Sequence, residues 1–459
     1  MVKIYRNIIV GFIFLTLSSR FCFAVNFEIR GDKFYLDGKP FFINAVGYAP
    51  WRAGQWPGTD NVNIDIIEYD FKLIKEAGFN TIRTWEFLNE EELALASKYG
   101  LYVIQGIWLD PNVDFSDKVW QGLQIEKIRR TVKYSKNFPN VLFYLIMTEP
   151  TTEAVLYNGK STTIDFFKKI ISIVRDIDDK PISMDSWIPL GFLDHSIWDI
   201  ITFNVFMFVP ESINKVMGFE GYIRFIKENY AKNKPLFVGE TGGFSVSKNK
   251  KNDIGFGGNS EEEQSLGNIR SIKACIKAGV AGVTTVVWVD TWHYPYDPDV
   301  HDDEPWEWDG IIALEDIDDP YGRPRKVFYD LKKFHEEFSY VSRDYRAKKS
   351  EIKLNIIPIK DIFDPDEKVR VVIKATVKDR PLPDTKIKYG FFIEQRWQEY
   401  IGEAVTDKNG EAQIDCKLNL NERIGYVLAF AALDNKKNIA TDLKFIRVKF
   451  KKSSGKLYR

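Results

Sequence analysis

The chain has 459 residues, 44% of them hydrophobic and 28% charged, with a formal net charge of −1. That length exceeds what one ordinary domain needs. The balanced charge argues against a nucleic-acid partner, which wants a basic face, and against a polybasic membrane anchor.

Lys3 and Arg6 precede the apolar run IIVGFIFLTL, and Ala24 closes the stretch. A charged start, a short apolar core and a small residue at its end make residues 1–24 a signal peptide, cleaved after Ala24. The run is too short to span a bilayer comfortably. The expectation is export to a periplasm or the exterior, with no stable membrane insertion after cleavage. Only Cys275 and Cys416 then remain, far apart, so no disulfide framework is expected.

Residues 27–42 pattern as a hairpin turning at Asp37-Gly38. A strand–helix rhythm follows. Short apolar strands are predicted over 41–47, 81–85, 101–108, 141–147, 181–185, 200–206, 236–239 and 282–289. Most gaps carry a helix. NIDIIEYDFKLIKEAG has apolar residues at helical spacing and ends on Gly78. Asn89 with Glu92, and Ser260 with Glu263, have capping-box spacing. The gap between Asp185 and Ile200 patterns poorly as a helix and is expected to be irregular.

Strands that are apolar throughout suit a parallel sheet buried on both faces. Eight such units point to an α/β fold of the (β/α)8 TIM-barrel type over residues 25–346. An open doubly wound sheet would want a glycine-rich turn after its first strand, and INAVGYAPW supplies none. Beyond the polar AKKSE, the segments KVRVVIKATV, TKIKYGFFIE, AQIDCKLNL and YVLAFAAL are β-like, with a hairpin turn at Asp407, Asn409 and Gly410. Residues 347–459 are expected to form a small immunoglobulin-like β-sandwich.

A barrel presents its chemistry at the C-terminal ends of its strands. The fourth predicted strand runs into Glu149 and the seventh into Glu240. A carboxylate directly after a buried strand is costly unless paired or used. Strands four and seven lie on roughly opposite sides of a barrel, so the two side chains converge. Paired carboxylates with separated proton affinities are what glycosidic cleavage requires. Trp51, Trp56, Trp85, Trp108, Trp187, Trp288 and Trp292 all fall near strand ends, and together suggest an aromatic cleft for sugar rings. Asn44, Glu86, Asp110 and Asp185 are further polar candidates. The acidic stretch 294–310 fits no EF-hand and reads as a solvated loop rather than a calcium site. The four histidines make no metal motif, so neither metal nor cofactor is expected.

These segments resemble the barrels of clan A glycoside hydrolases, especially families 2 and 5, over about residues 27–338. FYLDGKPFFINAVGY is similar to the entry of those barrels and GFNTIRTW to their second strand. GRPRKVFYDLKKF is similar to their closing helix. The resemblance implies that Glu149 is the acid/base, Glu240 the nucleophile, Arg83 an arginine beside the nucleophile and Trp288 the floor of the sugar site. It also implies retention of anomeric configuration. Substrate contacts are then expected from Arg83, Trp85, Thr148, Asn204, Phe206, Trp288, Trp51 and Trp292.

Two positions depart from the clan. Thr148 stands where an asparagine usually precedes the acid/base, and Phe206 where a tyrosine often touches the nucleophile. The leading expectation is an exported retaining β-glycosidase or transglycosylase acting on a carbohydrate. A second reading, resting on Thr148 and Phe206, is a non-catalytic carbohydrate-binding protein on a degenerate barrel. A third makes the sandwich the working part, as an adhesin or wall-docking module.

Overall fold

In the computed structural model, the eight apolar segments close into one parallel barrel. The structure describes residues 25–56, 62–249, 256–292, 299–338, 351–417, 425–434 and 439–449. The expected signal peptide lies outside them. Among the described residues, no helix is long and apolar enough to cross a membrane.

Strands β1 (Phe27–Arg30), β2 (Lys33–Leu36) and β3 (Lys39–Phe41) come first. They form a three-stranded antiparallel sheet rather than the single expected hairpin. The extra reversal uses Gly31 at φ 62°, a left-handed geometry that glycine adopts without a Cβ penalty. This sheet plugs the N-terminal end of the barrel. Phe34 and Phe27 pack on Phe143, which meets Phe237 edge-on at 5.6 Å.

The barrel strands are β4 (Ile43–Tyr48), β5 (Thr81–Thr84), β6 (Tyr102–Ile107), β7 (Val141–Thr148), β8 (Ile182–Ser186), β9 (Ile201–Asn204), β10 (Leu236–Gly242) and β11 (Gly282–Val286). They are buried along nearly their whole length. Around them run α1 (Ile64–Glu76), α2 (Glu90–Lys98), α3 (Lys118–Ser135), α4 (Thr152–Asn158), α5 (Lys160–Arg175), α6 (Glu211–Met217), α7 (Phe219–Ile226), α8 (Glu261–Ala278) and α9 (Lys326–Glu337). Both expected capping boxes form, at Asn89 with Glu92 and at Ser260 with Glu263. The irregular β8–β9 connection is two short 3-10 turns, as its sequence predicts. A short ribbon, β12 (Ile312–Ala313) with β13 (Arg323–Pro324), precedes α9.

The C-terminal part is a sandwich of two mainly antiparallel sheets. One holds β14 (Ile352–Pro358), β16 (Lys368–Val377), β17 (Arg380–Pro381) and β20 (Glu411–Lys417). The other holds β15 (Ile362–Phe363), β18 (Lys386–Ile393), β19 (Gln398–Val405), β21 (Tyr426–Asp434) and β22 (Ile439–Val448). The Asp407–Gly410 turn forms, with Asp407 Oδ1 accepting from the amides of Asn409 and Glu411. It joins β19 to β20 across the two sheets, so it is an inter-sheet corner and not a hairpin.

Side chains alternate across a strand, and that period places the sandwich. Phe391, Val427, Ala429 and Ala431 fill its own interior. Their neighbours Phe392, Leu428, Phe430 and Ala432 join the core of the barrel. Phe192, in the β8–β9 connection, stacks on Tyr426 at 4.3 Å.

Candidate active site

β7 and β10 both lose their regular register where their carboxylates emerge. β7 shifts against β8 between Leu145 and Thr148, and β10 shifts against β9 between Val238 and Glu240. Met147 (φ 62°) and Glu149 (φ 44°) adopt left-handed backbone. Non-glycine residues seldom do so, and the strain is tolerated where surrounding structure fixes it. Such irregularities re-aim side chains. Glu240 reaches residues on β5, and Glu149 reaches Asn204 on β9, so both side chains enter the mouth of the barrel.

Glu240 is held by donors. Trp85 Nε1 donates to its Oε1 at 2.8 Å, and Arg83 Nη2 lies 2.9 Å from the same oxygen. Arg83 is fully buried, with its guanidinium 4.2 Å from the Trp85 ring centre, a cation–π distance. Arg83 Nη2 also donates to Asp185 and, at 3.4 Å, to Thr148 Oγ1. Gly239 makes room for this group, because a Cβ there would sit 1.9 Å from Asp185 Oδ1.

Glu149 has a different shell. Asn204 Nδ2 donates to its Oε1 at 2.8 Å, and its backbone amide donates to the Asp185 carbonyl. No cation sits against it among the described residues. Burial first, then the charge of Glu240, push its proton affinity well above the usual carboxylate range. Glu240 is also raised by burial, but Arg83 and the Trp85 N–H oppose that, and its side chain keeps 14% exposure. Glu149 therefore keeps its proton to higher pH. Environments that separate two carboxyls in this way assign one as acid and the other as nucleophile or base.

The other expected residues divide. Arg83, Trp85, Thr148 and Asn204 all join the carboxylate network. Phe206 lies beside it in an apolar cluster with Phe208 and Val286, and has no donor to offer. On Glu240 the donor is instead the Trp85 N–H, a contact that sequence spacing could not assign.

Trp288 is not the floor of a sugar site. It is fully buried, donates Nε1 to Asp70 on α1 at 3.1 Å and packs edge-on against Phe328 of α9. Two residues earlier, Val286 faces the cleft beside Trp85, as their common approach to Gly47 shows. Alternation would keep residues two apart on one face, so the backbone leaves regular strand geometry after Val286, where β11 ends, and turns Trp288 away from the cleft. Trp292 is also withdrawn, donating to the Leu314 carbonyl and stacking on His301 at 4.7 Å. Trp51 is half-buried in the segment after β4.

Of the polar candidates, Asp185 belongs to the site. Asn44 serves the barrel wall, bonding Gly78 and Asn80, and Glu86 pairs with Lys127. Within the acidic stretch, Glu307 and Asp309 are buried rather than solvated. No group of three or more acidic, histidine or cysteine side chains able to hold a metal occurs among the described residues.

Residues 27–246, from β1 through β10, match the family model "Glycosyl hydrolases family 2, TIM barrel domain". The chain is 25% identical over 167 residues to a β-glucuronidase of Streptococcus agalactiae, covering 33% of this chain and 26% of that protein. It is 25% identical over 147 residues to a β-galactosidase of Alteromonas mediterranea, covering 30% of this chain and 14% of that protein. A solved structure of Bacteroides uniformis β-glucuronidase 2, covalently bound to cyclophellitol-6-carboxylate aziridine, shares the fold. It has a TM-score of 0.53 at 14% identity, covering 92% of this chain and 48% of that one. The resemblance to clan A glycoside hydrolases thus holds over residues 27–246, short of β11 and of the expected limit near 338, while the chain spans half or less of the length of these relatives.

Proposed function

We propose, from a barrel that carries the family 2 glycosyl hydrolase pattern, that the protein is a retaining β-glycosidase with Glu149 as acid/base and Glu240 as nucleophile. One observation carries this reading: the carboxylates converge with opposed surroundings, donors on Glu240 and little but an amide on Glu149. In the first step Glu240 attacks the anomeric carbon as its bond to the leaving oxygen breaks. The proton of Glu149 passes to that oxygen. Water then attacks the same carbon, Glu149 accepts its proton, and the bond to Glu240 breaks.

Glu240 is positioned by the Trp85 N–H and Arg83, so the phenylalanine at 206 leaves the mechanism whole. That favours an enzyme over a degenerate binding barrel. The relatives' names support β-D-glucuronides and β-D-galactosides as first substrates to try. The test is incubation with aryl β-glucuronides, β-galactosides, β-glucosides and β-mannosides, with Glu240→Gln as control. Release that vanishes in the control, with a β-configured first product by NMR, is the expected result. An α-configured first product, or full activity in the control, overturns it.

A further inference from the structure

A tip of the sandwich reaches the catalytic end of the barrel. The turn between β18 and β19, residues Glu394–Arg396, packs on α4, whose first residue Thr152 follows Glu149 by three positions. Glu394 is set against Thr152 itself. Farther along, Glu399 accepts from the backbone amide of Ser212, at the start of α6. This turn is therefore anchored to the loops after β7 and β9.

Between those anchors stands Trp397. Its ring lies 5.7 Å from that of Trp187, the residue that follows β8, and 5.9 Å from Phe392. It remains 61% exposed, and its backbone is left-handed at φ 48°. A bulky residue in that conformation is strained. Backbone held in this strained region by its surroundings points to a role beyond packing.

The position supplies one. Trp187 lies two residues beyond Asp185, whose carbonyl holds the Glu149 amide, and Thr152 is on the loop of Glu149. The pair thus sits by the loops that follow β7 and β8, at the same end of the barrel as Glu149. We infer that Trp397, backed by Trp187, is a leaving-group platform: the face of a ring attached through the scissile oxygen stacks on the indole. The sandwich would then complete the substrate cleft rather than merely buttress the barrel. This rests on the glycosidase reading above.

The test compares two leaving groups on one sugar. A β-glycosyl fluoride has no ring to stack, and the 4-methylumbelliferyl β-glycoside has one. Trp397→Ala in the full chain should lower kcat/KM on the methylumbelliferyl glycoside roughly 5- to 10-fold, the size of one stacking contact. It should leave the fluoride unchanged, which also reports that the variant folds. Trp397→Phe, which keeps a ring, should recover most of the loss. Equal losses on both substrates, or no loss on either, overturn the platform alone. A wild-type protein inert towards every fluoride of the sugar panel overturns the glycosidase reading, and the platform with it.

Discussion

Trp85 and Glu240 are joined by an indole N–H bond of 2.8 Å, donated where the resemblance leads one to expect a tyrosine hydroxyl. Both Trp85 and Arg83 approach Oε1, which on the proposed mechanism leaves Oε2 for the anomeric carbon. Donation to the ionised form favours ionisation. Trp85→Phe keeps a ring over Arg83 and removes only the donor. The proton affinity of Glu240 should then rise, and the acid limb of the kcat/KM profile should move to higher pH. A fall of about 10- to 100-fold at neutral pH is expected, from one lost preorganised donor. Steady-state rates over a pH series measure both effects.

Arg83 and Asp185 form the buried charge pair beneath the carboxylates, and neither side chain reaches solvent. Removing one partner strands the other's charge in a dry interior. Arg83→Met should cost roughly 3–5 kcal/mol of stability as well as activity. Urea unfolding of the variant checks this, and an unchanged midpoint would show that Asp185 finds another partner.

The pH profile of the wild type follows from the two shells. Burial pushes Glu240 up to about 7 and Glu149 to about 8. On the proposed mechanism activity needs Glu240 ionised and Glu149 protonated, so kcat/KM should be bell-shaped and narrow, centred between neutral and slightly alkaline pH. The two limbs belong to the coupled pair rather than to either residue alone. A flat profile from pH ~5 to ~9 would remove this assignment of roles.

Much of this was legible in the chain, for definite reasons. Parallel strands buried on both faces show as apolar runs, so all eight barrel strands and the positions of Glu149 and Glu240 could be located. Capping boxes are local, so α2 and α8 could be started correctly. What failed was direction. Trp288 and Val286 are two residues apart, and only the geometry beyond β11 decides which faces the cleft. The bulges in β7 and β10 leave no composition signal, and the Trp85–Glu240 bond joins residues 155 positions apart. The Asp407–Gly410 turn has hairpin chemistry, but which sheets its strands join is a tertiary matter.

Glu149 should make the folded protein less stable as pH rises. Its folded-state affinity for a proton exceeds that of an ordinary glutamate near 4.3. The stabilisation from holding that proton is full below that ordinary value and is lost as pH rises towards about 8. Glutamine mimics the protonated carboxyl. Glu149→Gln should therefore melt above wild type by roughly 2–4 °C at about pH 9, with the gap closing near pH 4. Calorimetry at the two pH values measures it, and a pH-independent gap would exclude the proton as its cause.

Barrel and sandwich share one apolar core at their joint. Phe392, Leu428, Phe430 and Leu443 leave the sandwich face and enter the barrel's core, and Phe192 stacks on Tyr426 across the same joint. A chain ending after Phe338 would expose the apolar surface that these residues cover, and patches of that kind drive association. It should aggregate where the full chain stays monodisperse. Phe430→Ala, which removes one fully buried ring, should cost about 3–5 kcal/mol by creating a cavity at the joint. If the sandwich were only tethered, the truncated barrel would stay soluble and the Phe430 variant would unfold in two separate transitions, with the barrel's unchanged. One shared transition, shifted down in Phe430→Ala, is the expected result by light scattering and urea titration.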